Sequence, residues 1–124
     1  MIALEEYKTV TEEKVKHWCK VAPATDFPVN GGGSVLYKGK QIAVFHFARR
    51  NEWYACQNLC PHKMQMILSR GMIGSEKGEP KVACPFHKKT FSLETGKNLN
   101  GNECDIATYP VKIVDNYVYV GFED

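Results

Sequence analysis

Apolar and polar positions along this chain alternate in short runs, and no stretch holds a helical period over several turns. The first strand-like run covers residues 17–21, with Trp18 expected as a core anchor at the domain edge. Residues 34–37, a Lys38-Gly39-Lys40 turn and residues 41–48 predict a hairpin. Its second strand is apolar on both faces and therefore central, and His46 within it is read as structural, as is His17. Residues 53–57 predict a third strand in which Cys56 is a small core residue. Shorter runs follow at 64–68, where Met64 and Met66 are read as packing residues, and at 81–83 and 90–93. The most distinct hairpin closes the pattern, residues 109–114 and 117–120 around Asp115-Asn116.

Between these runs, residues 23–33 with Gly31-Gly32-Gly33 read as a loop, and residues 71–80 as an exposed excursion. The glycine run lacks the strand-to-helix context of a phosphate loop. Residues 1–16 are charge-rich and read as a solvated arm, with a possible helix start at Thr11. The expectation is one all-β domain over 1–124, with an N-terminal arm at 1–16. A loop pair inserted after the third strand makes a subdomain at about residues 57–91.

Composition narrows the function. A net charge of +2 argues against nucleic-acid binding through bulk electrostatics, and no run is long and apolar enough for a membrane helix. The first residues lack the basic flank and apolar run of a secretory signal, and the five cysteines show no regular framework. A cytoplasmic, reducing setting is expected.

The chemistry lies in two segments, Cys60-Pro61-His62 and Cys84-Pro85-Phe86-His87. Each offers one thiolate and one imidazole from a Pro-containing loop, a donor set for zinc or iron–sulfur chemistry. Zinc knuckles usually pair like ligands, whereas a [2Fe–2S] centre with both Cys on one iron and both His on the other needs this mixed arrangement. A structural zinc site or a metal-free adaptor remains the alternative. No catalytic set, nucleotide fingerprint or open metal position with a general base is evident, so the chain is expected to catalyse nothing alone.

With Cys60-x-His62 and Cys84-x-x-His87 on an all-β chain, the sequence resembles the Rieske [2Fe–2S] family from Trp18 onward. The disulfide of quinol-oxidase members has no counterpart, because Gln65 and Phe86 stand at the matching positions. The segment Leu68-Ser69-Arg70-Gly71 and the long gap between the loops look like the small subunit of NAD(P)H-dependent assimilatory nitrite reductase. That resemblance implies a large partner with FAD, a [4Fe–4S] cluster and sirohaem that reduces nitrite to ammonia. Cys60, His62, Cys84 and His87 would hold the cluster, and Lys63, Lys88 and Lys89 beside them would form a basic docking face. A stand-alone ferredoxin for an oxygenase is the second expectation. With no disulfide, and with Lys88-Lys89 where quinol-oxidase members offer a serine donor, the potential should fall low in the Rieske range.

Overall fold

The computed structural model describes residues 7–61, 64–85, 89–100 and 104–123. Twelve strands run in chain order: β1 (His17–Pro23), β2 (Gly31–Tyr37), β3 (Lys40–Phe47), β4 (Glu52–Gln57), β5 (Leu59–Cys60), β6 (Gln65–Met66), β7 (Met72–Glu76), β8 (Glu79–Ala83), β9 (Thr90–Ser92), β10 (Thr108–Tyr109), β11 (Val111–Val114) and β12 (Tyr117–Phe122). Every described pairing is antiparallel. They form sheets β1-β12-β11, β10-β4-β3-β2, β5-β6 and β7-β8-β9. Among the described residues only 3-10 turns supplement them, at Glu12–Lys14, Ala24–Asp26 and Leu68–Arg70, and no helix is long and apolar enough to cross a membrane.

Strand β3 organises the packing. Successive side chains of a strand point to opposite faces, and here both faces are covered. Ile42 and Val44 join a core with Tyr37, Val118, Val120 and Phe122, between the two larger sheets. Ala43, Phe45 and Phe47 join a second core with Leu68, Val82 and Phe91, from the Leu68–Arg70 turn, β8 and β9. The double apolar pattern of residues 41–48 thus marks a central strand, as its sequence requires.

The two-residue turns Lys38-Gly39 (φ 48° and 82°) and Asp115-Asn116 (φ 50° and 68°) both hold positive φ, the backbone twist that matches a tight hairpin. Three expectations are corrected and a fourth is refined. The glycine run is strand, not loop: a Cβ on Gly32 would lie 2.6 Å from the Phe45 ring and 2.7 Å from the Ser69 carbonyl oxygen. Glycine is there so that the Leu68–Arg70 turn can lie directly on β2. Residues 71–80 are exposed at Met72, Ser75, Lys77 and Gly78, as expected, but as the regular β7–β8 hairpin, turned at Lys77-Gly78 with φ 53° and 85°. Pro80 is buried in its middle strand, where its carbonyl accepts the Leu93 N–H at 2.9 Å. The described part of the amino-terminal arm is not simply solvated, since Tyr7 and Val10 are core residues and the Val10 N–H donates to Thr108 O at 2.9 Å. Trp18 is half-buried rather than a core anchor, and carries Lys112 Nζ 4.4 Å above its ring.

Candidate metal centre

Cys60 ends β5 and Cys84 immediately follows β8, and both side chains are fully buried. They belong to the same hydrophobic cluster, with Leu68, Val82 and Phe91. The fold therefore carries the two thiols, 24 positions apart in sequence, into one core.

Each thiol sits at the foot of a hairpin loop. Cys60 pairs with Gln65 in the β5–β6 ladder, and its carbonyl accepts the Met64 N–H at 2.7 Å. Met64 takes φ +54° to close this loop. Ala83 pairs with Thr90, and the Cys84 N–H donates to Lys89 O at 2.8 Å across the stem of the second loop. His62 and Lys63 in the first loop, and Phe86, His87 and Lys88 in the second, lie outside the described residues. Lys89 is half-buried at the stem. Among the described residues no group of three or more His, Cys, Asp or Glu could hold a metal. The described part of the proposed donor set is thus its two sulfurs.

The base of the first loop is held by two residues that the sequence analysis passed over. Asn58 is buried; its Nδ2 donates to Gln41 Oε1 at 2.9 Å and its Oδ1 accepts the Ser69 N–H at 2.7 Å. Its carbonyl also accepts the N–H groups of Ile67 and Leu68 at 2.9 and 3.0 Å. Gln57, also buried, accepts the Ala107 N–H on Oε1 at 2.8 Å and donates from Nε2 to Leu59 O at 2.6 Å. Buried amides with all these bonds made fix the chain entering Cys60. Their only trace in the sequence is a pair of polar residues at the end of an apolar strand.

At the second loop, Ser92 Oγ donates to Glu79 Oε2 at 2.6 Å and accepts the Thr95 N–H at 3.2 Å, tying β9 to β8 below Cys84. The third buried cysteine, Cys56, lies mid-strand with Sγ 3.2 Å from Gln57 O, and burial pushes its thiol far up from the ordinary range. It is a packing residue, as expected, in the same core cluster as Cys60 and Cys84 but mid-strand rather than at the foot of a loop.

Two buried sulfurs, each followed by an imidazole in the same short loop, fit an iron–sulfur cluster by donor chemistry. Comparison with known proteins gives the same answer. The family model of the Rieske-like [2Fe-2S] domain matches residues 17–121. The chain is 33% identical over 104 residues to the large subunit of nitrite reductase [NAD(P)H] of Klebsiella oxytoca, covering 84% of this chain but only 11% of that protein. It is also 33% identical to the ferredoxin component of the naphthalene 1,2-dioxygenase/salicylate 5-hydroxylase systems of a Ralstonia species, covering 87% of this chain and 98% of that one. The solved structure of the nitrite reductase [NAD(P)H] small subunit from Erwinia carotovora superposes with a TM-score of 0.73 at 28% identity, over 86% of this chain and 82% of that chain. The chain therefore belongs to the family of Rieske-like [2Fe–2S] domains, and its cofactor is a Rieske-type [2Fe–2S] cluster.

Proposed function

We propose that this chain is the electron-transfer subunit of an NAD(P)H nitrite reductase, with Cys60, His62, Cys84 and His87 as the cluster ligands. The observation that carries the ligand assignment is the burial of Cys60 and Cys84 in one core at the feet of two hydrogen-bonded loops. The likeness to the Erwinia small subunit and the Klebsiella large subunit supports the choice of enzyme.

When bound, the cluster supplies one-electron transfer at a potential above that of all-cysteine ferredoxins. The chain's own part is to hold that centre still. Asn58 and Gln57 fix the approach to Cys60, while the Cys84–Lys89 bond fixes the second stem. A rigid site keeps the geometry change on electron gain small. Burial of Cys60 and Cys84 excludes water from the thiolates, and electrons would enter and leave past His62 and His87. Lys63, Lys88 and Lys89, beside the histidines in sequence, would offer a basic rim to an acidic partner surface. The partner is a large subunit with FAD, a [4Fe–4S] cluster and sirohaem, on which nitrite becomes ammonia. Cys19, Cys56, Cys84 and Cys104 lie outside any disulfide, which fits a reducing compartment, and we place the protein in the cytoplasm.

A second reading, a ferredoxin serving an oxygenase, is favoured by the full-length match to the Ralstonia ferredoxin component. Anaerobic purification with assays of iron and acid-labile sulfide tests the cofactor, and equal amounts of the two are expected. Co-expression with the large subunit decides between the readings. A stable complex that transfers electrons supports the first; reduction of an oxygenase with no affinity for the large subunit establishes the second. Colourless protein that holds zinc, or no metal after reconstitution, overturns both.

A further inference from the structure

The β5–β6 ladder that carries Cys60 is two residue pairs long, Leu59 with Met66 and Cys60 with Gln65. Strands this short have little stability of their own and take their shape from what packs on them. Leu59 and Cys60 are successive in the strand, so their side chains face opposite ways. Cys60 enters the core that holds Cys84, whereas Leu59 enters the other core, against which Met66 also packs. The ladder therefore has a ligand side and a back.

Tyr7 belongs to the core at the back and is buried there. Its hydroxyl lies 3.7 Å from Met66 Sδ and 3.3 Å from Gln41 O, within donor reach of both. Gln41 O also accepts the Asn58 N–H at 3.0 Å, and Gln41 Oε1 accepts the Asn58 side-chain amide. One phenol thus reaches the returning strand of the first ligand loop and the residue of β3 to which the entering strand is tied. The segment that brings it in is itself fastened. The Val10 N–H donates to Thr108 O at 2.9 Å, and Thr9 Oγ1 accepts the Thr108 N–H at 3.1 Å. Thr108 is paired in turn with Cys56 of β4. Core filling alone would be met by phenylalanine. A buried phenol has the added requirement of a hydrogen-bond partner, and both partners here stand at the base of the ligand loop.

We propose that Tyr7 is a positioning residue of the metal centre. Its hydroxyl, carried in by the amino-terminal arm, ties the back of the β5–β6 ladder to β3 and so holds Cys60 in place for the cluster. The inference rests on Cys60 as a cluster ligand and is independent of which enzyme the chain serves.

The test uses the whole chain with its cluster. Tyr7→Phe keeps the ring and removes only the hydroxyl. It is expected to lose its cluster to chelator about threefold faster, the size of one weak hydrogen bond. The electron paramagnetic resonance lines of the reduced variant should broaden, because a looser Cys60 spreads the geometries at its iron. Val10→Ala removes core packing from the same arm without touching the loop, and is expected to lower the unfolding midpoint while leaving the line widths unchanged. Hydrogen exchange supplies a readout that needs no cluster signal. In Tyr7→Phe the N–H groups of Met64 and Ile67, bonded to Cys60 O and Asn58 O, should exchange faster, while the Cys84 N–H at the second loop keeps its rate. Unchanged line widths and exchange in Tyr7→Phe, or equal broadening in Val10→Ala, overturn the positioning role and leave Cys60 as a ligand. A native cluster spectrum in Cys60→Ala overturns the ligand assignment and the positioning role together.

Discussion

The side-chain oxygen of Asn58 accepts the backbone N–H of Ser69 at 2.7 Å, joining the chain just before Cys60 to the turn that follows β6. The other end of the same amide bonds Gln41 on β3. One side chain therefore fixes both flanks of the first ligand loop to the central strand. Asn58→Ala leaves the Ser69 N–H and the Gln41 oxygen without these partners, at a cost on the order of 2–3 kcal/mol. Denaturant unfolding should show that loss, and the cluster should be released faster on dilution into chelator. Asn58→Asp keeps the acceptor for Ser69 and should recover part of both. Full stability and retention in the alanine variant would remove Asn58 from this role.

Gly32 has a comparable task on the facing strand. An added methyl at this position meets the Phe45 ring and the Ser69 carbonyl oxygen well inside van der Waals contact. The neighbours are core and backbone, so they cannot swing aside. Gly32→Ala is expected to lower stability by about 1–3 kcal/mol, the range for an overfilled core. Gly39→Ala provides the contrast, since its Cβ meets nothing within 4 Å and only its φ of +82° is strained. A thermal melt in which Gly32→Ala is neutral would show that β2 and the Leu68–Arg70 turn can part.

These two residues show where the sequence could be read and where it could not. Residues 41–48 are apolar at every position that must be, so the central strand was legible. Asp115-Asn116 between alternating runs announced its hairpin, and Cys60 and Cys84 stood out as candidate ligands by residue type and spacing, two thiols that the fold brings into one buried core. Gly31-Gly32-Gly33 misled because the reason for glycine is a close approach by Ser69, 37 residues on from Gly32. Residues 71–80 were legible as exposed but not as a hairpin, because Gly, Pro and charge are loop signals locally, while the ladder that overrides them comes from β8 pairing with β9. Tyr7 and Val10 are isolated apolar residues among charges, and only contact with the two large sheets makes them core. Gln57 and Asn58 had no periodic signal at all. Their partners, Ala107, Gln41 and Ser69, are distant in sequence.

Charge around the ligand loops sets a further expectation. By the resemblance to quinol-oxidase members of the Rieske family, Gln65 and Phe86 at the matching positions would leave no disulfide to brace the site, and Lys88 and Lys89 would replace the serine donor to the cluster sulfur. Fewer hydrogen bonds to the sulfurs leave the reduced state less stabilised. The midpoint potential is expected in the lower half of the Rieske span, which runs from roughly −150 to +300 mV. Protein-film voltammetry checks it, and a value near the upper end would contradict the argument.

Tyr54 predicts a limit at alkaline pH. Burial, the hydrogen bond from its hydroxyl to Glu52 Oε1 at 2.7 Å and the Glu52 charge push its pKa up from 10.0 to about 12. The unfolded chain ionises this phenol near pH 10 and the folded chain only near pH 12. Below pH 10 the stabilisation is complete. Between 10 and 12 the unfolded state binds fewer protons, so stability falls as pH rises. The stability difference between the unaltered chain and Tyr54→Phe should therefore narrow steadily across that window. A difference constant from pH 9 to 12 would mean that the phenol is not held in its neutral form.

The five cysteines should separate into three classes when alkylated. Cys104 is exposed and reacts first in the native protein, with half-buried Cys19 slower. Cys56 is held mid-strand with its thiol pushed up by burial, and since the thiolate is the nucleophile it should react only on global unfolding. Cys60 and Cys84 are just as buried, but each stands at the foot of a loop whose neighbours Met64 and Pro85 reach solvent. While iron holds them they should be inert. Chelator and reductant should expose this pair together while Cys56 stays protected, because opening two short loops costs less than opening a central sheet. Mass spectrometry of the labelled protein reads the order directly. Labelling of Cys60 and Cys84 before iron is removed would show that neither is a ligand, and labelling of Cys56 alongside them would show that chelation unfolds the whole domain.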